Sequence, residues 1–170
     1  MAIIIDGRSL TVEDVIKVCR HGEEVVISEE AKAAVQKARD YVEKKLDDGA
    51  VIYGLTTGFG KFANVVIDHE QTAKLQRNLI ISHTCALGDP YPVEYVRAAM
   101  LLRCNALSRG NSGIRLSTLQ TMVDMLNKGV HPIIPEKGSL GASGDLAPLS
   151  HIALGLIGEG KVEYKGEIVD

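Results

Sequence analysis

The stretch from Val93 to Leu107, VEYVRAAMLLRCNAL, is apolar nearly all the way round a helix. A surface helix carries one apolar stripe, whereas a helix that is apolar on every side has to lie between other elements. It does not read as a membrane span: Arg97 and Arg103 interrupt it, and it falls short of the roughly 18 uninterrupted apolar residues that a bilayer requires. The rest of the chain must therefore supply the helices that enclose it.

The patterning supplies them. Thr11 is placed to cap a helix through Arg20 that stops at Gly22, and Ser28 to cap one over Glu29 to Leu46, whose acidic first turn suits the helix dipole. Helical patterning resumes near His69 and runs to Leu87, before a firm break at Gly88-Asp89-Pro90-Tyr91-Pro92. Leu116, Leu119, Met122, Val123 and Leu126 mark one face of a helix from Arg115 to Lys128, closed by Gly129. A last helix runs from about Pro148 to Leu156. Ile3-Ile4-Ile5, Val25-Val26-Ile27 and a hairpin over Val162 to Val169, turning at Lys165-Gly166, read as short strands. The expected fold is mainly α with short β elements at both ends. Residues 1–170 form one domain, with no repeat, linker or low-complexity tract.

Charge narrows the partners. The 19 Lys and Arg against 22 Asp and Glu give a net charge of -3, without the clustered basic residues of a phosphate-backbone binder. Trp is absent and aromatics are 4%, too few for a platform that stacks single strands. Neither a nucleic acid nor a membrane is expected as partner. The N-terminus lacks the basic region of a signal peptide. Cys19, Cys85 and Cys104 form no CxxC pair; they read as small buried hydrophobes in a reducing cytoplasm. His21, His69, His131 and His151 have no ligand spacing such as HExxH, so no metal site is expected.

Glycine stands out, at 17 of 170 residues against an average usage of about 7%. Many of these glycines fall in two irregular stretches. In the first, Tyr53-Gly54-Leu55-Thr56-Thr57-Gly58-Phe59-Gly60-Lys61-Phe62, a phosphate loop fails: Leu55 stands where its first glycine belongs and Phe62 replaces the magnesium-binding hydroxyl. In the second, Gly138 to Asp145, a hydrolase elbow fails because Asp145 stands two residues after Ser143, and Pro132 and Pro135 interrupt the strand that should precede it.

Ala142-Ser143-Gly144 suits a different chemistry. Gly144 has a backbone nitrogen with no Cβ beside it, Ala142 an unobstructed carbonyl, and Ser143 a hydroxyl that elimination can remove. Attack of the Gly144 nitrogen on the Ala142 carbonyl, followed by dehydration, gives a five-membered ring with an exocyclic methylidene, an electrophile that no ordinary side chain supplies. The alternative is a glycine-rich turn capped by Asp145 ahead of the Pro148 helix.

Gly141-Ala142-Ser143-Gly144-Asp145-Leu146-Ala147-Pro148-Leu149-Ser150-His151 closely resembles the signature of the histidine and aromatic amino acid ammonia-lyases. Tyr53 to Gly60 resembles the family's other hallmark, and Arg109-Gly110-Asn111-Ser112-Gly113 its central segment. The resemblance runs in order over essentially the whole chain. It implies the N-terminal globular part of the L-aspartase/ammonia-lyase-like all-α fold. It also implies a 4-methylidene-imidazol-5-one group (MIO), formed autocatalytically from Ala142, Ser143 and Gly144 with Asp145 in support, and no external cofactor.

By the same resemblance Tyr53 is the base that removes the substrate's β-proton, a demanding task for a side chain whose ordinary pKa is near 10. Gly60 and His83 bind substrate. The family's matching pair tends to be Ser-His in histidine-specific members, His-Leu in tyrosine-selective ones and Phe-Leu in phenylalanine ones. Ser82-His83 therefore implies elimination of ammonia from L-histidine to give urocanate, with a tyrosine or phenylalanine ammonia-lyase or an aminomutase as the alternatives.

Family members also carry a central helical bundle and a C-terminal region with further active-site residues, and assemble as homotetramers that share sites between subunits. Those parts have no counterpart in residues 1–170. The expectation is a fragment inactive alone, one half of a split enzyme with a complementary C-terminal chain, or a non-catalytic helical module.

Overall fold

The structure is a computed structural model that describes residues 2–63, 65–66 and 69–170. Met1, Asn64, Ile67 and Asp68, and the side chains of Phe62, His69, Glu70, Thr72 and Ser143, lie outside what it describes.

Strand β1 (Ile3–Ile5) pairs in parallel with β2 (Val25–Ile27), joined through helix α1 (Val12–His21). The start of α1 is fixed by a capping box. The Thr11 hydroxyl accepts the Asp14 amide at 3.2 Å while the Asp14 carboxylate reaches back to the Thr11 amide at 3.3 Å. Ser28 likewise caps α2 (Glu29–Asp47). The open side of β2 is closed by a side chain: the Asn127 amide group accepts from the Val25 N–H and donates to its C=O, both at 2.9 Å, as a third strand would.

Helix α3 (His69–His83) ends four residues earlier than the patterning suggests, because Leu87–Pro90 forms strand β3. The Thr84 hydroxyl closes the helix by donating to the Ile81 carbonyl at 2.7 Å. After α4 (Val93–Leu107) and α5 (Leu116–Lys128) come β4 (Val130–Pro132) and β5 (Pro135–Lys137). The β content is thus not confined to the two ends: β3 pairs antiparallel with β5, and β4 with the hairpin β6 (Val162–Tyr164) and β7 (Glu167–Val169) that follows α6 (Leu146–Leu156).

Helix α4 packs against α1 and α5 and buries Val96, Met100, Leu101, Cys104 and Leu107 against Val18, Leu119, Val123 and Leu126. Its enclosure is one-sided, however: Tyr95 and Leu102 on the opposite face are 56% and 52% exposed. Arg97 turns inward. Its guanidinium donates to the Val18 carbonyl (2.8 and 3.2 Å), the Leu126 carbonyl (3.0 Å) and His131 Nε2 (3.0 Å). Val18 and Leu126 belong to the last turns of α1 and α5, so one buried cation satisfies carbonyls at the negative ends of two helices. Because Arg97 donates to Nε2, His131 is the Nδ1–H tautomer and donates to the Glu163 carboxylate at 2.6 Å. Of the three cysteines only Cys104 is buried, with its thiol pushed up to about 12 by desolvation; Cys19 is half-buried and Cys85 exposed.

The Arg109–Gly113 segment is explained by packing. A Cβ on Gly110 would sit 2.6 Å from the Ala34 backbone, and one on Gly113 would sit 2.5 Å from the Val42 side chain. Both glycines let the chain pass directly over α2.

Candidate active site

The first glycine stretch is folded by its own threonines. Thr56 Oγ accepts the Ile52 amide at 2.8 Å and donates to the Ala50 carbonyl at 3.1 Å. Thr57, 1% exposed, accepts the Gly54 amide and donates to the Gly58 carbonyl. It also bridges to Val66. Gly54 has φ +72, and a Cβ there would meet the Phe59 ring at 2.9 Å. Phe59 in turn takes the Tyr53 ring edge-on, with centroids 5.8 Å apart. This places the Tyr53 hydroxyl where it accepts the Gly60 amide at 3.3 Å, on a side chain that is 63% exposed.

Helix α3 carries the proposed substrate pair at its C-terminus. The Ser82 hydroxyl donates to the Leu79 carbonyl at 2.8 Å, and His83 Nδ1 lies 2.9 Å from the same carbonyl. A carbonyl only accepts, so Nδ1 carries the proton and Nε2 is left as an acceptor for a ligand. A cleft of about 320 Å³ separates α3 from the first loop, lined by Gly58, Phe59, Leu75, Asn78, Leu79 and Ser82. The loop that holds Tyr53 and the helix that ends in His83 thus face each other.

The second glycine stretch leaves β5 at Lys137 and enters α6 at Leu146. The prolines do not prevent a strand before it, as patterning suggested: each stands at the end of a short piece, Pro132 closing β4 and Pro135 opening β5. Gly141–Ser143 makes a single 3₁₀ turn in which the Gly144 amide donates to the Gly141 carbonyl at 3.2 Å. Gly144 has φ 80 and ψ 153, a conformation essentially reserved for glycine and worth about 1–3 kcal/mol of strain for other residues. A Cβ at Gly141 or Gly144 would meet nothing within 4 Å. The residues therefore suit the ring closure: a tight turn draws the Gly144 amide back onto Gly141, and open space surrounds both glycines.

Asp145 does not cap α6 as an ordinary turn would have it. It stands at the N-cap position without a side-chain cap bond, and its carboxylate instead accepts the Ser139 hydroxyl. The start of this loop also meets the region just after His83: a Cβ on Gly138 would lie 2.6 Å from that of Ala86 and 3.3 Å from that of Ala147. A second, mostly apolar cleft of about 440 Å³ runs alongside, lined by Tyr91, Tyr95, Leu102, Ser139, Asp145 and Leu149.

Sequence reasoning missed three polar features. Arg97 looks like an interruption in an apolar run, and only the packing shows that it points inward. Ser139 has no motif of its own. His151, in the second turn of α6, is desolvated, which lowers its pKa, and its Nε2 is buried without a hydrogen-bond partner among the described residues.

The family model for aromatic amino acid lyases matches residues 10–170, and the chain belongs to that family. It is similar to the histidine ammonia-lyase of Caldanaerobacter subterraneus subsp. tengcongensis, with 58% identity over 98% of this chain and 33% of that protein. Among solved structures it is similar to the ergothioneine-degrading ergothionase of Treponema denticola (TM-score 0.95, 39% identity, 99% of this chain and 34% of that one). It is also similar to the histidine ammonia-lyase of Trypanosoma cruzi (TM-score 0.89, 39% identity, 100% of this chain and 32% of that one). The chain spans about a third of the length of the curated relatives it matches.

Proposed function

We propose that this chain carries the base and the electrophile-forming loop of a histidine ammonia-lyase, which converts L-histidine to urocanate and ammonia without oxidation. The similarity to histidine ammonia-lyases over nearly the whole chain is the main support for this reading. The Ala142-Ser143-Gly144 turn and the free Nε2 of His83 agree with it.

In this reading His83 Nε2 accepts the N–H of the substrate imidazole and orients the ring. Tyr53 takes a proton from the substrate's β-carbon, the carbon–nitrogen bond at the α-carbon breaks, and the amine leaves as ammonia while the double bond forms. The Gly60 amide donates to the Tyr53 oxygen and steadies it, and Gly60 is assigned a substrate contact by the family resemblance. Asp145 supports closure of the loop. The methylidene-imidazolone that Ala142, Ser143 and Gly144 would form supplies the electrophile that makes the amine a competent leaving group.

Water is not kept from these groups in this chain: Tyr53, Leu140 and Leu146 are 63%, 66% and 52% exposed. We therefore expect negligible turnover by residues 1–170 alone. Turnover should appear when a second chain, carrying the remaining two thirds of the Caldanaerobacter enzyme, completes a tetramer in which each subunit is made of the two chains. The test follows urocanate and ammonia from L-histidine with the chain alone and complemented. Release of a tyrosine- or phenylalanine-derived arylacrylate, or of a β-amino acid, would overturn the substrate assignment, and wild-type-like turnover by the isolated chain would overturn the need for a partner. The likeness to ergothionase supports a second reading, which ergothioneine in the same assay distinguishes.

A further inference from the structure

We propose that Ser139 is a positioning residue for ring closure: its hydroxyl, donated to the Asp145 carboxylate, clasps the two ends of the second loop and holds residues 140–144 in the conformation from which they cyclise. The inference rests on the reading that this loop forms MIO, and it adds a residue to which no part of that chemistry has been assigned.

Ring closure is a problem of geometry. A bond forms between the Gly144 nitrogen and the Ala142 carbonyl carbon. The carbonyl oxygen leaves as water with the amide protons of Gly144 and Ser143. The Ser143 hydroxyl then leaves as a second water with its own Cα proton. The first step joins two poor reactants, an amide nitrogen and an amide carbonyl, so it depends on holding them near contact rather than on their intrinsic reactivity.

Among the described residues, the backbone hydrogen bonds within the turn are local. Gly144 donates to Gly141 and Leu146 donates to Gly144, and neither joins the incoming chain to the outgoing one. The Ser139–Asp145 bond does, across six residues. Its acceptor is a carboxylate, which strengthens the bond. Asp145 gives up an ordinary role to make it: an aspartate at an N-cap normally accepts an amide of the first helical turn, and that bond is absent. The segment being held includes Gly144 in its glycine-only conformation, from which a loop open at its ends would relax.

Wild type, Ser139→Ala, Ser139→Thr and Asp145→Asn are compared by the mass of the peptide spanning residues 138–150 and by hydrogen exchange at the Leu146 amide, which keeps its proton through ring closure. We expect a deficit of two waters in wild type. Ser139→Ala should form the ring about tenfold more slowly and exchange the Leu146 amide about tenfold faster, the size of one charge-assisted hydrogen bond. Ser139→Thr should restore both values, and the melting temperature should stay unchanged throughout. Wild-type ring closure and exchange in Ser139→Ala would overturn the proposal. If wild type itself keeps the unmodified mass, the MIO reading fails for this chain, and the exchange rates alone decide the clasp: equal rates in wild type and Ser139→Ala overturn it.

Discussion

The Tyr53 hydroxyl accepts the Gly60 amide across 3.3 Å, and the same loop sets both partners. Thr56 and Thr57 shape the turn, Gly54 makes room for Phe59, and Phe59 holds the phenol ring edge-on. A donor aimed at the oxygen is what a tyrosine serving as base requires. Replacing Tyr53 with Phe keeps the ring contact and removes the oxygen. In the complemented enzyme it should lower the turnover of L-histidine by about 10²–10⁴-fold, the usual worth of a positioned general base. The two-water deficit of the second loop should persist, since Tyr53 has no part in ring closure. Steady-state kinetics and peptide mass on one preparation check both halves.

His83 should govern which ring is accepted. Its Nδ1 is committed to the Leu79 carbonyl at 2.9 Å, so Nε2 is left as an acceptor. In His83→Leu the substrate imidazole N–H loses its partner. A site that hydrogen-bonds its substrate loses about 1–3 kcal/mol when one bond is left unmade. We expect kcat/KM for L-histidine to fall about ten- to a hundredfold, with phenylalanine falling less, in a competition assay monitored by product absorbance.

Acid should weaken the fold in two separate windows. The first belongs to His151, whose burial lowers its pKa below the ordinary 6.5. The unfolded chain binds that proton more readily, so stability is full above about pH 6.5 and is lost as pH falls below it. The second belongs to Glu163, held below its ordinary 4.5 first by the hydrogen bond from His131 and then by the Gly166 amide. Its contribution is complete above pH 4.5 and disappears as pH falls through the depressed value. Glu163→Gln should lower the melting temperature at neutral pH, and its difference from wild type should shrink in acid. His151→Gln should flatten the upper window only. Melting curves from pH 8 to pH 3 check the signs; a constant difference between Glu163→Gln and wild type would contradict the linkage.

Helices were legible where capping chemistry and apolar spacing agreed. Thr11, Ser28, Gly22 and Gly129 mark ends that local sequence alone determines, and α1, α2, α4 and α5 lie within a residue or two of their expected bounds. Strands β3, β4 and β5 were not legible. They are three or four residues long, and pairing with distant segments, rather than any periodicity of their own, makes them strands. The residues of the two loops were visible as motifs, but what orients them was not. The Gly60 amide, the Leu79 carbonyl and the Ser139 hydroxyl act through backbone placement and one tertiary bond. Arg97 was misleading for a related reason: its partners are carbonyls that only the packing of α1 and α5 brings together.

Glycine substitutions should separate packing from conformation. Gly110 has φ +71, and a Cβ there would lie within 2.6–2.8 Å of the Ala34 backbone and side chain. Helix α2 cannot yield locally without moving its own hydrogen-bonded turn. Gly110→Ala therefore meets both a left-handed backbone and an overpacked contact, together costing roughly 3 kcal/mol. Gly144→Ala meets no neighbour within 4 Å, so its cost is conformational alone, about 1–3 kcal/mol, and is confined to an exposed turn that can rearrange by itself. The two variants should behave in opposite ways. Gly110→Ala should lower the melting temperature clearly while leaving the chemistry of the second loop intact in whatever fraction stays folded. Gly144→Ala should melt close to wild type yet keep the unmodified mass, because the turn that its glycine-only conformation shapes is lost. Thermal denaturation and peptide mass on the same samples measure both effects, and ring closure in Gly144→Ala at the wild-type level would show that the glycine-only conformation is not what the loop needs.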